Sequence, residues 1–117
     1  MDIEIMIPSD EPVRLLSAVT EELNYEKLTA TYSQLGRNEY PPRLLFKVVL
    51  YGCCRGIYAT REIERACREN VNFMYLLEGQ HPPDHNTIAR FRKEHLPYAV
   101  EELLDQMVKL LMQNGEI

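Results

Sequence analysis

The chain has 117 residues, 45% of them hydrophobic and none of them Trp, which is enough apolar material for one packed core and too much for a disordered segment. No apolar run approaches the roughly 20 residues of a membrane span, and the start, Met1-Asp2-Ile3-Glu4, is acidic rather than signal-like. These features argue against a membrane-spanning helix and a signal peptide, and a cytoplasmic protein is the default expectation. The net charge of −5 argues, taken over the whole chain, against a polyanionic partner.

The first residues show no clear pattern up to Pro8. Ser9 or Asp10 is expected to cap a first helix with Pro12 in its first turn, where proline is tolerated. Val13, Leu15, Leu16, Val19 and Leu23 then follow helical spacing to about Asn24. Asn24 is expected to cap a second, short helix through Tyr32. Gly36-Arg37-Asn38 reads as a loop. Pro41-Pro42 opens a third helix whose apolar residues, Leu44 to Tyr51, cover nearly its whole circumference. A helix apolar all round belongs at the centre of a core. Arg43 and Lys47 form its narrow polar edge, either solvated or available to phosphate. Gly56 is a plausible C-cap.

Thr60 is expected to cap a fourth helix, residues 61 to about 69. Ile63, Ala66 and Cys67 lie on one face, and Arg61, Arg65 and Arg68 on the other, at i, i+4 and i+7. Like charges so placed repel by a few tenths of a kcal/mol. Glu64 offsets part of this by pairing with Arg68, and a phosphate backbone would offset the rest. Alone, the pattern also fits a solvated arginine face. Asn70 is expected to cap a fifth helix over residues 71–78, ended by Gly79.

The most informative stretch is Pro83-Asp84-His85-Asn86-Thr87-Ile88-Ala89-Arg90-Phe91-Arg92-Lys93. Pro82 and Pro83 keep the lead-in non-helical, and Asp84 is expected to cap a helix running to about His95. At about 100° per residue, Ile88, Phe91 and His95 share one face. Asn86, Ala89, Arg90 and Lys93 share the opposite one, with Arg92 and Thr87 on the flanks. Asn and Arg are the side chains that make bidentate contacts to base edges in the major groove. Lys and Arg also bind phosphate and fix register. Pro97 starts a last helix, Tyr98 to about Asn114, with a broad apolar face, an acidic first half, and Gly115 at its end.

The charge distribution sharpens this picture. Residues 37–97 carry ten Lys and Arg against seven Asp and Glu, a local +3, whereas the flanks sum to −8. A basic middle between acidic ends suits a DNA-contacting face on an otherwise acidic domain. It also fits an internal electrostatic match with no ligand. Cys53, Cys54 and Cys67 form neither a disulfide framework nor a zinc ribbon, and all three are expected to be buried thiols. A metal site using His81 and His85 lacks a suitably spaced cysteine pair, so no metal or cofactor is expected.

No strand pattern, internal repeat or low-complexity tract is present. The expected fold is an all-α compact bundle of about six to seven helices containing a helix-turn-helix-like unit. N-terminal helices occupy 1–36, the basic helix-turn-helix-like region 37–97, and a C-terminal helix 98–117.

Tyr40-Pro41-Pro42-Arg43-Leu44-Leu45, Tyr51-Gly52, Arg61-x-Ile63-Glu64-Arg65-Ala66-Cys67-Arg68-Glu69-Asn70, Phe73 and the string from Pro83 to Arg92 resemble the N-terminal domain of InsH-type bacterial insertion-sequence transposases. The resemblance runs from about Pro8 to Ile117. It implies sequence-specific binding of double-stranded DNA at the element's terminal inverted repeats, in support of transposition and DNA recombination. It also implies a following RNase H-like domain with an Asp-Asp-Glu triad and Mg2+. That domain is not in this sequence, so the chain itself is expected to be neither nuclease nor strand transferase.

The residues thus mark Asn86 and Arg90 for base contacts and Arg61, Arg65, Arg68, Arg92 and Lys93 for phosphate contacts. Two other functions remain in view. One is a helical dimerisation or protein-interaction module, in which the apolar stripe of the last helix pairs with a second copy rather than serving as core. The other is an unrelated helix-turn-helix transcriptional regulator.

Overall fold

The computed structural model describes residue 7, residues 11–32 and residues 40–115; the expected Ser9/Asp10 cap and the loop at residues 36–38 lie outside them. The described residues form seven α-helices and no strand, so the all-α expectation holds. We label them α1 (Pro12–Glu21), α2 (Glu26–Thr29), α3 (Pro42–Cys54), α4 (Thr60–Glu69), α5 (Val71–Leu76), α6 (His85–Arg90) and α7 (Val100–Gln113). Between α6 and α7 the chain runs on as a π-helical turn, Phe91–His95, and a 3-10 turn, Leu96–Tyr98.

Helix α3 is the hub, and α1, α4 and α5 all pack against it. Every residue from Leu44 to Val49 is buried, as are Tyr51 and Gly52. Phe73, Phe91, Ile63, Ile88 and Leu103 close the core around it, each at most 1% exposed. Tyr51 meets Phe73 edge-on at 5.1 Å, an arrangement favoured by the ring quadrupoles.

The hub helix contains one surprise. Lys47, expected at a polar edge, is fully buried. Its stem lies in the core and its ammonium meets the carboxylates of Glu21 and Glu78, the latter at 3.0 Å. Arg43 joins them, bonding Glu78 through both terminal nitrogens at 2.7 and 2.9 Å and Glu21 at 3.0 Å. This quartet ties α1, α3 and the end of α5 together, so neither base is available to a phosphate. The Arg43 hydrogen bonds hold the Glu78 carboxyl down at about 2 against its partial desolvation, with Lys47 helping.

Several helix ends differ from expectation. Helix α1 stops at Glu21 and α2 at Thr29, short of Asn24 and Tyr32. Asn24 does accept the Glu26 N–H at 2.8 Å. Thr60 is the first helical residue of α4 rather than its cap, a place taken by Ala59 without a side-chain bond. Helix α5 ends at Leu76 because Glu78 and Gly79 turn left-handed, at φ 54° and 82°. Helix α7 starts at Val100 rather than Tyr98.

The caps at Asn70 and Asp84 form as expected, each accepting a backbone N–H at 2.8 Å, from Asn72 and Thr87 respectively. Cys67 is buried, but Cys53 and Cys54 are exposed. They sit in the last turn of α3, where the helix has run past the core.

Candidate nucleic-acid interface

Two short helices lie side by side at the surface, α4 and α6. Each buries one stripe: Ile63, Ala66 and Cys67 from α4, Ile88 from α6 with Phe91 just beyond it. What remains outward on α4 is Arg61, Arg65 and Arg68, all exposed. What remains outward on α6 is Asn86, Ala89 and Arg90, with exposed Lys93 in the following turn.

Glu64 couples the two helices. Its Oε1 accepts the backbone N–H of His85 at 3.1 Å and faces His85 Nδ1 at 3.3 Å. A carboxylate can only accept, so Nδ1 carries the proton. The same oxygen lies 3.4 Å from Arg68, the pair expected from the sequence. Arg68 and the first residue of α6 therefore share one atom. Partial desolvation works against the charged form of Glu64, yet the two His85 bonds and the Arg68 charge hold its carboxyl below the usual carboxylate range.

The far end of the pair is fixed as well. Arg92 is half-buried, and its Nη1 donates to the carbonyl of Tyr58, in the turn that leads into α4. One guanidinium nitrogen of Arg92 is thus committed within the protein, which its place on the outward flank did not predict. Glu64, midway along α4, thus meets the first residue of α6, and the turn before α4 meets the segment that follows α6.

The helix carrying Arg90 does not continue evenly to His95, as the sequence pattern suggests. It widens at Phe91, where the Leu96 N–H reaches back five residues to the Phe91 carbonyl. Pro97 offers a reason: it has no N–H, and its ring would meet the carbonyl of residue 93 in a regular helix. His95 is held in the widened turn. It stacks on Tyr32 with centroids 3.7 Å apart and planes 5° off parallel. Its Nδ1 lies 2.8 Å from the Thr31 hydroxyl, which spends its own proton on the Leu28 carbonyl at 2.7 Å. Nδ1 of His95 is therefore the donor.

Ion pairing separates the basic residues. Arg43 and Lys47 are neutralised in the quartet, and Arg65 lies 4.0 Å from Glu69. Among the described residues no carboxylate pairs with Arg55, Arg61, Arg90 or Lys93. Sequence reasoning missed Arg55 and the exposed Tyr58, since neither falls on a periodic face. Among the described residues no group of three His, Cys, Asp or Glu is placed to hold a metal, and no helix is long and apolar enough to cross a membrane.

No curated protein and no solved structure shows a significant match to this sequence. Residues 1–94, covering α1 to α6 and the first residues of the π-turn, match the family described as a transposase domain (DUF772). The chain belongs to this transposase-domain family.

Proposed function

We propose that the chain is the DNA-recognition part of an InsH-type insertion-sequence transposase and binds duplex DNA at the element's terminal inverted repeats. One observation carries the reading: the arginine ridge of α4 and the outward face of α6 adjoin, joined through Glu64. In this reading α4, α5 and α6 act as a helix-turn-helix-like unit and α6 enters the major groove. Asn86 and Arg90 contact base edges. Arg61, Arg65, Arg68 and Lys93 bind phosphates, as do the nitrogens of Arg92 not engaged by Tyr58. Strand cleavage and joining would fall to a separate RNase H-like domain, whose Asp-Asp-Glu triad would hold Mg2+, while the residues of this chain supply recognition.

The test is fluorescence anisotropy with a labelled terminal-repeat duplex against a scrambled duplex, over a range of salt. The repeat should be preferred. Arg90→Ala should lose about 1–3 kcal/mol of that preference, while Arg65→Ala should weaken both duplexes and lower the salt slope by about 1. A wild type with no preference for the repeat overturns the reading.

A second reading has its own observation. Leu104, Val108 and Met112 of α7 are 42%, 46% and 61% exposed, and Leu15 of α1, which lines a groove with Met107 and Leu111 of α7, is 45% exposed. Only Leu103 of the α7 stripe is fully buried. Self-association through this face is compatible with DNA binding. Sedimentation that finds a monomer at high concentration removes it.

A further inference from the structure

The turn between α3 and α4 presents two side chains that the packing does not use. Tyr58 is 61% exposed. Arg55 is exposed and has no acidic partner among the described residues. Yet the turn itself is held firmly at both ends. At its start, Ile57 N–H bonds the Gly52 carbonyl at 2.7 Å and Gly56 N–H bonds Cys53 at 3.3 Å, with Gly56 left-handed at φ 75°. That is a Schellman closure. At its end, Arg92 fastens the Tyr58 carbonyl to the segment that follows α6. Arg61, with no carboxylate partner among the described residues, stands three residues further along.

A rigid turn that projects a cation and a phenol beside a basic ridge has the chemistry of a phosphate contact. Arg supplies charge and a donor fork, and Tyr a neutral donor. We infer that this turn is an additional backbone contact, with the Arg55 guanidinium and the Tyr58 hydroxyl each binding a phosphate of the duplex read by α6. Arg92, whose other nitrogens are placed above on phosphate, also positions the turn, because its Nη1 holds the Tyr58 carbonyl to the segment after α6. The inference rests on the DNA-binding reading above.

Binding of the full chain to the repeat and scrambled duplexes, measured across salt concentrations, tests it. Arg55→Ala should weaken both about three- to tenfold and make the salt slope shallower by about 1. Tyr58→Phe should weaken both about two- to fivefold with the slope unchanged, since no charge is lost. Arg92→Lys keeps the charge but loses the guanidinium geometry. Its slope should stay while affinity falls about threefold or more. Circular dichroism melts of all three should match wild type. Lys109→Ala on α7, where Lys109 pairs with Asp105, should leave the slope alone.

A wild type that fails to bind duplex DNA overturns the parent reading. A wild type that binds, with Arg55→Ala keeping its slope or Lys109→Ala losing as much, overturns the turn contact alone. Wild-type affinity in Arg92→Lys overturns the positioning role.

Discussion

Glu64 of α4 accepts the backbone N–H of His85 at 3.1 Å, so an acidic side chain of one helix fastens the first turn of the next. It does so inside a basic ridge, where its charge also opposes a polyanion. The two roles separate by substitution. Glu64→Gln keeps an acceptor for His85 and removes the charge, so affinity for every duplex should rise about two- to fivefold. Glu64→Ala removes the tie as well and should lower discrimination between repeat and scrambled DNA. Titration of both variants against both duplexes checks this, and equal discrimination in Ala and Gln variants would show that the tie does not orient α6.

The buried ammonium of Lys47 makes a second case. Its partners Glu21 and Glu78 are 48% and 41% exposed, so water screens both and the network contributes less than a fully buried one. Lys47→Met replaces the ion with an apolar chain of similar length and should change stability by less than about 1 kcal/mol. Glu78→Ala leaves the ammonium with one partner and should cost about 2 kcal/mol. Urea unfolding distinguishes them.

The pH dependence of that network follows from the depressed Glu78 carboxyl, near 2 when folded and near the ordinary value of about 4.3 when unfolded. Its share of stability is complete above the unfolded value and is lost as pH falls from about 4.5 to 2. After allowance for exposure that share is about 1 kcal/mol. The acid limb of the wild-type stability curve should therefore flatten in Glu78→Gln. A limb as steep as wild type would remove Glu78 as its source.

Much of this arrangement is legible in the sequence because it is periodic. The apolar circumference of α3, the arginine ridge on α4 and the Asn86/Arg90 face follow from helical spacing, and the Asn70 and Asp84 caps from residue chemistry. The missed features depend on partners distant in sequence. Lys47 reads as an edge residue because its carboxylates come from residues 21 and 78. Arg92 reads as an outward flank because its acceptor is a main-chain carbonyl in another turn. The break at Phe91 is absent from the 3.6-residue pattern, though Pro97 signals it. The bundle is thus local information, whereas the coupling of α4 to α6 is tertiary.

The cysteines give a direct solution test of α3's position. Cys53 and Cys54 are exposed. Cys67 is fully buried, and desolvation, with the nearby Glu64 charge, pushes its thiol up to about 12. Since the thiolate is the reactive form, a disulfide reagent near pH 8 should modify two thiols at once and the third only on unfolding. Three fast thiols would mean that α4 does not stay packed on α3.

Gly52 links the core to the proposed contact turn. A Cβ there would stand 2.7 Å from the Ile57 carbonyl oxygen and 3.6 Å from Ile63. The oxygen is backbone, so the turn itself must move. The same Ile57 gives its N–H to the Gly52 carbonyl, so moving it also strains the closure of α3. Gly52→Ala should cost about 1–3 kcal/mol, despite the better helix propensity of alanine. Its second effect distinguishes this site from an ordinary packing defect. Below its melting temperature the folded variant should bind duplex DNA with the weakened affinity of Arg92→Lys, because both displace Arg55 and Tyr58 relative to α6. Melting curves and anisotropy on the same preparation decide the matter: a destabilised variant with wild-type affinity would confine Gly52 to the core and separate the turn from DNA binding.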